Sequence, residues 1–183
     1  MQTSECKTTE LGFVEECNPR NLQSCFFPSK IGGKPSWLFL ESVPSADQII
    51  CQSCDKLCIF LLQIYCPLDN KSLCFHRTLF VFACKTPACY ISNSAQCIKV
   101  YRSQVPRVNK YYGYEPIDEF CMPEKLPSAI DYQNICELCG CAGRKVCSKC
   151  KSVYYCSKEH QVIDWKNSHK YSCNKETPAG DGM

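Results

Sequence analysis

The sequence predicts an α+β protein. A mostly β domain over residues 1–120 precedes a small metal-built module over residues 135–173 that ends in a helix. Three observations carry this. The apolar runs "CIFLLQIYC" and "TLFVFAC" are short, nearly continuous and rich in β-branched and aromatic residues, which favours buried strands. Cysteine supplies 19 of the 183 residues, and downstream of residue 135 it pairs with itself and with histidine at short spacings. The stretch "KEHQVIDWKNSHK" is made of good helix formers without glycine or proline.

The β region opens with "SKIGGKPSWL", a Gly-Gly turn followed by Pro35 and an aromatic anchor, Trp37. The two apolar runs follow, joined by the turn-rich connector "PLDNKSLCFHR". His76 lies in that connector and reads as a polar connector residue, not a catalytic one. "CIKVYRSQV" alternates and predicts a half-exposed strand. Residues 121–134 carry two prolines and no clear period, as a linker does. "NKETPAGDGM", residues 174–183, has the composition of a disordered tail.

Composition excludes several classes. A formal net charge of +3 is too small to mark nucleic acid or an anionic membrane as the main partner. The longest apolar segment is far too short to span a bilayer. The N-terminus "MQTSECKTTELGFVEE" is polar and acidic, so no secretory leader is expected. In a reducing compartment the thiols stay free, and paired free thiols favour zinc.

The downstream block contains four pairs: Cys136-x2-Cys139, Cys147-x2-Cys150, Cys156-x3-His160 and His169-x3-Cys173. Eight ligands make two closed tetrahedral zinc sites. A C-x2-C knuckle aims two sulfurs at one ion, and an x3 pair on a helix does the same because i and i+4 share a face. On one continuous helix, His160 and His169 would stand on nearly opposite faces, roughly 13 Å apart along the axis. They then serve different ions. Sequential pairing is excluded, which leaves a cross-braced or a nested arrangement. Tyr155 and Trp165 are expected to form the small core of so short a module. Cys141 fits no pair. Seven basic against three acidic residues over 136–173 do not make the strong basic face of a DNA reader.

Two further pairs, Cys51-x2-Cys54 and Cys84-x4-Cys89, flank the two apolar runs. If those runs form an antiparallel hairpin, the start of the first lies beside the end of the second. That topology assembles a third zinc site from Cys51, Cys54, Cys84 and Cys89. Cys58, Cys66, Cys74 and Cys97 are expected to be core or surface thiols.

The downstream block resembles a MYND-type zinc finger, through "YYCSKEHQ", the "DW" that follows and the terminal "HKYSC". The resemblance implies interleaved, cross-braced ligation. Cys136, Cys139, Cys156 and His160 would hold one zinc; Cys147, Cys150, His169 and Cys173 would hold the other. Most members carry cysteine where this chain has His160. The resemblance also implies a docking module for short proline-containing segments.

Upstream, "LGFVEE", "SKIGGKPSWL", "CQSCDKLCIFLLQIYCPLD", "FHRTLFVFAC" and "YRSQVPRVNKYYGYEP" resemble the programmed cell death protein 2 family. The likeness runs from about Leu11 to Cys173. It implies a β-rich family domain with a finger attached, located in cytoplasm and nucleus. It further implies a non-enzymatic adaptor or chaperone whose protein partner is a newly made small-subunit ribosomal protein. A peptide-docking regulator of transcription or apoptosis is the alternative. The family continues beyond its finger, so a chain ending ten residues after Cys173 reads as a short or C-terminally truncated form. No enzyme is expected: the first region is too short for a cofactor-binding fold and lacks a glycine-rich cofactor loop.

Overall fold

The structure, a computed structural model, describes residues 11–118 and 123–173. The expected tail over 174–183 lies outside these residues, as do residues 121 and 122 of the expected linker. Four strands form an antiparallel sheet in sequence order. They are β1 (Lys30–Ile31), β2 (Ile59–Tyr65), β3 (His76–Ala83) and β4 (Ile98–Val105). Directly after β1, the glycines of the Gly-Gly turn take the conformations the turn demands: Gly32 and Gly33 have φ of 72° and 70°.

The hairpin between β2 and β3 pairs Ile59 with Ala83 and Tyr65 with Thr78. Leu61 is the extra residue of a bulge between Phe60 and Leu62. The inner face stacks Phe60, Phe80 and Phe82 against Trp37, Leu38 and Leu40. Trp37 is 4% exposed, with its ring centroid 4.5 Å from that of Phe80. Gln63 is buried among them, and its amide is satisfied by the Pro28 carbonyl and the Ser36 N–H.

β2 and β3 are not buried on both faces, contrary to the expectation from their continuous apolar runs. Residues opposed across a ladder share a face. Ile31, Leu62, Val81 and Val100 therefore form one apolar row across all four strands. Its ends are open: Ile31 is 62% and Val100 61% exposed. Ile59, Ile64 and Ile98 flank this row and are exposed too. An antiparallel sheet tolerates one open face, and period alone does not tell an apolar outer face from a buried one.

The finger adds a two-stranded ladder, β5 (Lys145–Val146) with β6 (Tyr154–Tyr155). A helix follows: α1 (Lys158–Asp164), a π turn over Trp165–His169, and α2 (Lys170–Ser172). Ser157 caps it, its hydroxyl accepting from the His160 N–H. Tyr155 is wholly buried and donates to Asp164 Oδ2 at 2.7 Å, so it is core as expected. The segment between the two regions is packed. Ala129 is buried, and the Pro127 carbonyl accepts from Ser24 Oγ.

Candidate metal centres

Three clusters of four donors assemble, each with all its ligand atoms within 4.8 Å of one another. They are Cys51/Cys54/Cys84/Cys89, Cys136/Cys139/Cys156/His160 and Cys147/Cys150/His169/Cys173. The distances test whether zinc fits. A tetrahedron with Zn–S near 2.3 Å has S···S edges of about 3.8 Å, and S···N edges of about 3.5 Å. Cys54 Sγ lies 3.6 Å from Cys84 Sγ, Cys139 Sγ 3.6 Å from Cys156 Sγ, and Cys147 Sγ 3.9 Å from Cys173 Sγ. His160 Nδ1 is 3.7 Å from Cys136 Sγ and 3.2 Å from Cys156 Sγ. His169 Nε2 is 3.5 Å from Cys150 Sγ. A disulfide needs sulfurs about 2.05 Å apart. The spacings are those of zinc sites.

Each C-x2-C pair is held by the same device. The residue after the second cysteine turns left-handed, and its N–H donates to the first cysteine's carbonyl. Asp55 (φ 55°) does this for Cys51, Gly140 (φ 75°) for Cys136 and Lys151 (φ 56°) for Cys147. Only Gly140 advertises the conformation in sequence. The Ser53 N–H also points at Cys51 Sγ, 3.4 Å away. Burial opposes ionisation of Cys51, but the N–H groups of Ser53 and Cys54 and the neighbouring thiols outweigh it and lower the thiol to about 6. Burial likewise opposes ionisation of Cys150, and the hydroxyl and N–H of Ser152 help bring it to about 6. Thiolate is the ligand form.

The upstream cluster follows from the hairpin register. Ile59 faces Ala83, so the turn before β2 meets the segment just after β3, which supplies Cys84. Cys89 closes a short 3₁₀ turn, Pro87–Cys89. Cys58 is buried nearby but outside the cluster. Burial, then the Cys51 and Cys84 sulfurs, push its thiol up to about 11, so it stays neutral packing. Cys97 is buried beside it, Cys66 and Cys74 are half-buried, and Cys141 is wholly buried outside any cluster.

In the finger, the x3 pairs differ from the helical geometry expected of them. Cys156 precedes the N-cap, and Cys173 follows the last residue of α2. His160 sits in the first helical turn and His169 ends the π turn. A π turn takes more residues per turn than an α-helix, so it re-phases His169 towards the second cluster. Sequence signals do not report such a turn.

Trp165 meets the expectation only in part. It packs against the finger core but is half-buried and, with Ser148, Lys149, Gln161 and Val162, lines a groove of about 350 Å³. Lys149 Nζ stands 5.9 Å from its ring centroid. His76 is the first residue of β3, not part of the connector, and is buried. Its Nδ1 is 2.8 Å from Tyr65 Oη and its Nε2 3.2 Å from the Arg107 carbonyl.

A β domain with a four-cysteine cluster and a helical finger with two Cys/His clusters define a zinc-binding protein of two joined modules. Residues 8–119 match the family described as Programmed cell death protein 2, N-terminal domain, and residues 136–173 match the MYND finger. The chain belongs to the programmed cell death protein 2 family. It is 42% identical over 174 residues to Programmed cell death protein 2 of Rattus norvegicus, covering 92% of this chain and 48% of that protein. The Bos taurus protein of that name is 41% identical over 177 residues, covering 94% of this chain and 50% of the relative. Programmed cell death protein 2-like of Homo sapiens is 40% identical over 80 residues, 44% of this chain and 21% of that protein. The chain thus spans about half the length of the first two relatives. No solved structure matches it. MYND fingers are protein-interaction modules of a non-enzymatic type. Among the described residues, no helix is long and apolar enough to cross a membrane.

Proposed function

We propose that this chain is a zinc-built adaptor that holds a newly made protein of the small ribosomal subunit, in cytoplasm and nucleus, and catalyses no reaction. Family likeness along nearly the whole chain carries this reading. Each cluster offers four protein donors, so a bound zinc would have no open coordination position, as in structural sites. The open apolar row Ile31–Leu62–Val81–Val100 supports a holding role, because a patch of this kind is suited to covering apolar surface on a client. The test is a native pull-down with the zinc-loaded chain from cells making ribosomes. Enrichment of a small-subunit protein is expected, with a reduced yield for Val100→Asp at unchanged zinc content. Recovery of no ribosomal protein above background refutes the reading.

A second reading rests on the Trp165 groove. Trp165 offers a flat apolar ring and Gln161 and Ser148 offer hydrogen bonds at its side. That combination suits an extended proline-containing segment, and with it a regulator of transcription or apoptosis. Titration of the zinc-loaded chain with proline-rich peptides tests it. Flat titrations remove it.

A further inference from the structure

The Cys51 cluster gathers at the end of the sheet where β2 begins and β3 ends. The opposite end holds a different feature, a cleft of about 430 Å³ with an aromatic floor. Phe27 lies flat on His76, with centroids 4.1 Å apart and planes at 15°, and meets Tyr112 edge-on at 5.0 Å. The polar atoms of this floor are already engaged. Both His76 nitrogens have partners, and the Tyr112 hydroxyl donates to the Leu38 carbonyl at 2.8 Å.

The Arg107 side chain is held differently. Arg107 is half-buried, its guanidinium carbon 3.8 Å from the Tyr114 ring centroid and 5.0 Å from that of Phe75. Ring faces hold a guanidinium through its π surface and leave its in-plane N–H fork available. Among the described residues no carboxylate forms an ion pair with it. Glu115 also lines the cleft, but stands on its exposed rim. Tyr111, the other wall, has a buried hydroxyl with no hydrogen-bond partner.

The volume is that of a small-ligand site. A fixed guanidinium fork matches a planar carboxylate and disfavours a cation, while the ring floor takes an apolar group. We propose that this cleft binds an aromatic or branched apolar group bearing a carboxylate, with the apolar part on Phe27 and Tyr112 and the carboxylate on Arg107. Two sources share this chemistry: the C-terminal residue of a protein chain, and a free aryl acid. The site is separate from the zinc clusters and does not depend on the ribosomal reading.

The test uses the full zinc-loaded chain followed by NMR, with four probes. These are 3-phenylpropanoate, its amide, and an acetylated peptide ending in phenylalanine as free acid and as amide. The acids are expected to shift the Phe27 and Tyr112 ring signals and the Arg107 Hε signal, with the small acid binding at roughly millimolar Kd. The amides bind at least about tenfold more weakly, a difference of about 1.4 kcal/mol. Tighter binding by the free-acid peptide assigns the site to a chain end; tighter binding by 3-phenylpropanoate assigns it to a small acid. Arg107→Gln is expected to abolish the preference for acid over amide at unchanged zinc content, whereas Arg102→Gln, on the outer sheet face, leaves it intact. Arg107→Lys keeps the charge without the fork and is expected to lose several-fold in affinity, which covers the case in which the glutamine variant does not fold. Absence of any shift, equal binding of acid and amide, or an acid preference that survives in both Arg107 variants overturns the proposal.

Discussion

The indole Nε1 of Trp37 donates to the carbonyl of Gly140 at 2.5 Å, across 103 positions of sequence. Trp37 belongs to the core of the β domain, and Gly140 to the first knuckle of the finger. Around this bond, the Ala142 N–H donates to the Pro44 carbonyl, Gln133 Nε2 donates to the Leu40 carbonyl, and Lys34 pairs with Glu137 at 2.7 Å. Glu137 and Lys34 are both about half exposed, so that ion pair adds little; the buried polar contacts carry the junction. The finger is seated on the domain.

The junction makes two substitutions informative. Trp37→Phe keeps most of the ring but orphans the Gly140 carbonyl, at an expected cost of about 1–3 kcal/mol. Gly140→Ala combines a left-handed φ of 75° with a Cβ only 3.1 Å from Pro35 Cδ, and is expected to cost about 1–2 kcal/mol or more. Gly12→Ala meets nothing within 4 Å and serves as the neutral control. Urea denaturation of the zinc-loaded variants measures all three. A Gly140→Ala midpoint equal to the control would contradict the seating.

Zinc stoichiometry separates ligands from bystanders. Native mass spectrometry with metal quantification is expected to give three zincs for the parent chain. His160→Ala is expected to lose one, and His160→Cys to keep all three, since cysteine offers an equivalent donor. Cys84→Ser is expected to lose the upstream zinc, whereas Cys58→Ser, buried beside it, keeps three.

Trp165 distinguishes surface from core. Trp165→Ala is expected to leave the zinc content unchanged and to weaken binding of a proline-rich peptide by about tenfold, as loss of an aromatic anchor does. Tyr155→Phe, which orphans buried Asp164, is expected to lower finger stability without altering that affinity per folded molecule. Calorimetric titration and thermal melts read the two effects apart.

His76 predicts a pH dependence. Burial, partly offset by its bond to the Arg107 carbonyl, holds its imidazole below the ordinary 6.5. The unfolded chain therefore takes up the proton more readily than the native one. Stability from this residue is complete above about pH 6.5 and is lost as pH falls through the depressed native value. His76→Gln is expected to flatten the fall in stability between pH 7 and the pH at which zinc is released. Equal slopes for variant and parent would show that His76 does not titrate in this way.

The cysteine pairs, their spacing and the apolar runs were legible in one dimension. Ligand type at short spacing is a local property, and the C-x2-C pairs each arrive at one cluster. The upstream cluster was legible as well, because an antiparallel hairpin obliges Cys51 and Cys54 to meet Cys84 and Cys89. The division of the finger's pairs was only half legible: helical phase separates His160 from His169, while the choice between cross-braced and nested came from resemblance. Other features depended on contacts the chain makes far from the residues concerned. Which face of β2 meets the core was settled by where Trp37 and Leu38 return to the sheet. The π turn that re-aims His169, the left-handed turn at Lys151 and the partial exposure of Trp165 likewise follow from closure of the finger around its ligands, as the left-handed turn at Asp55 follows from closure of the upstream cluster. The seat between Trp37 and Gly140 has no local signature at all. Residue identity and spacing thus determined the metal chemistry of this chain, because donors three to five positions apart readily meet. Its surfaces were decided by packing between distant segments, which local periodicity cannot encode.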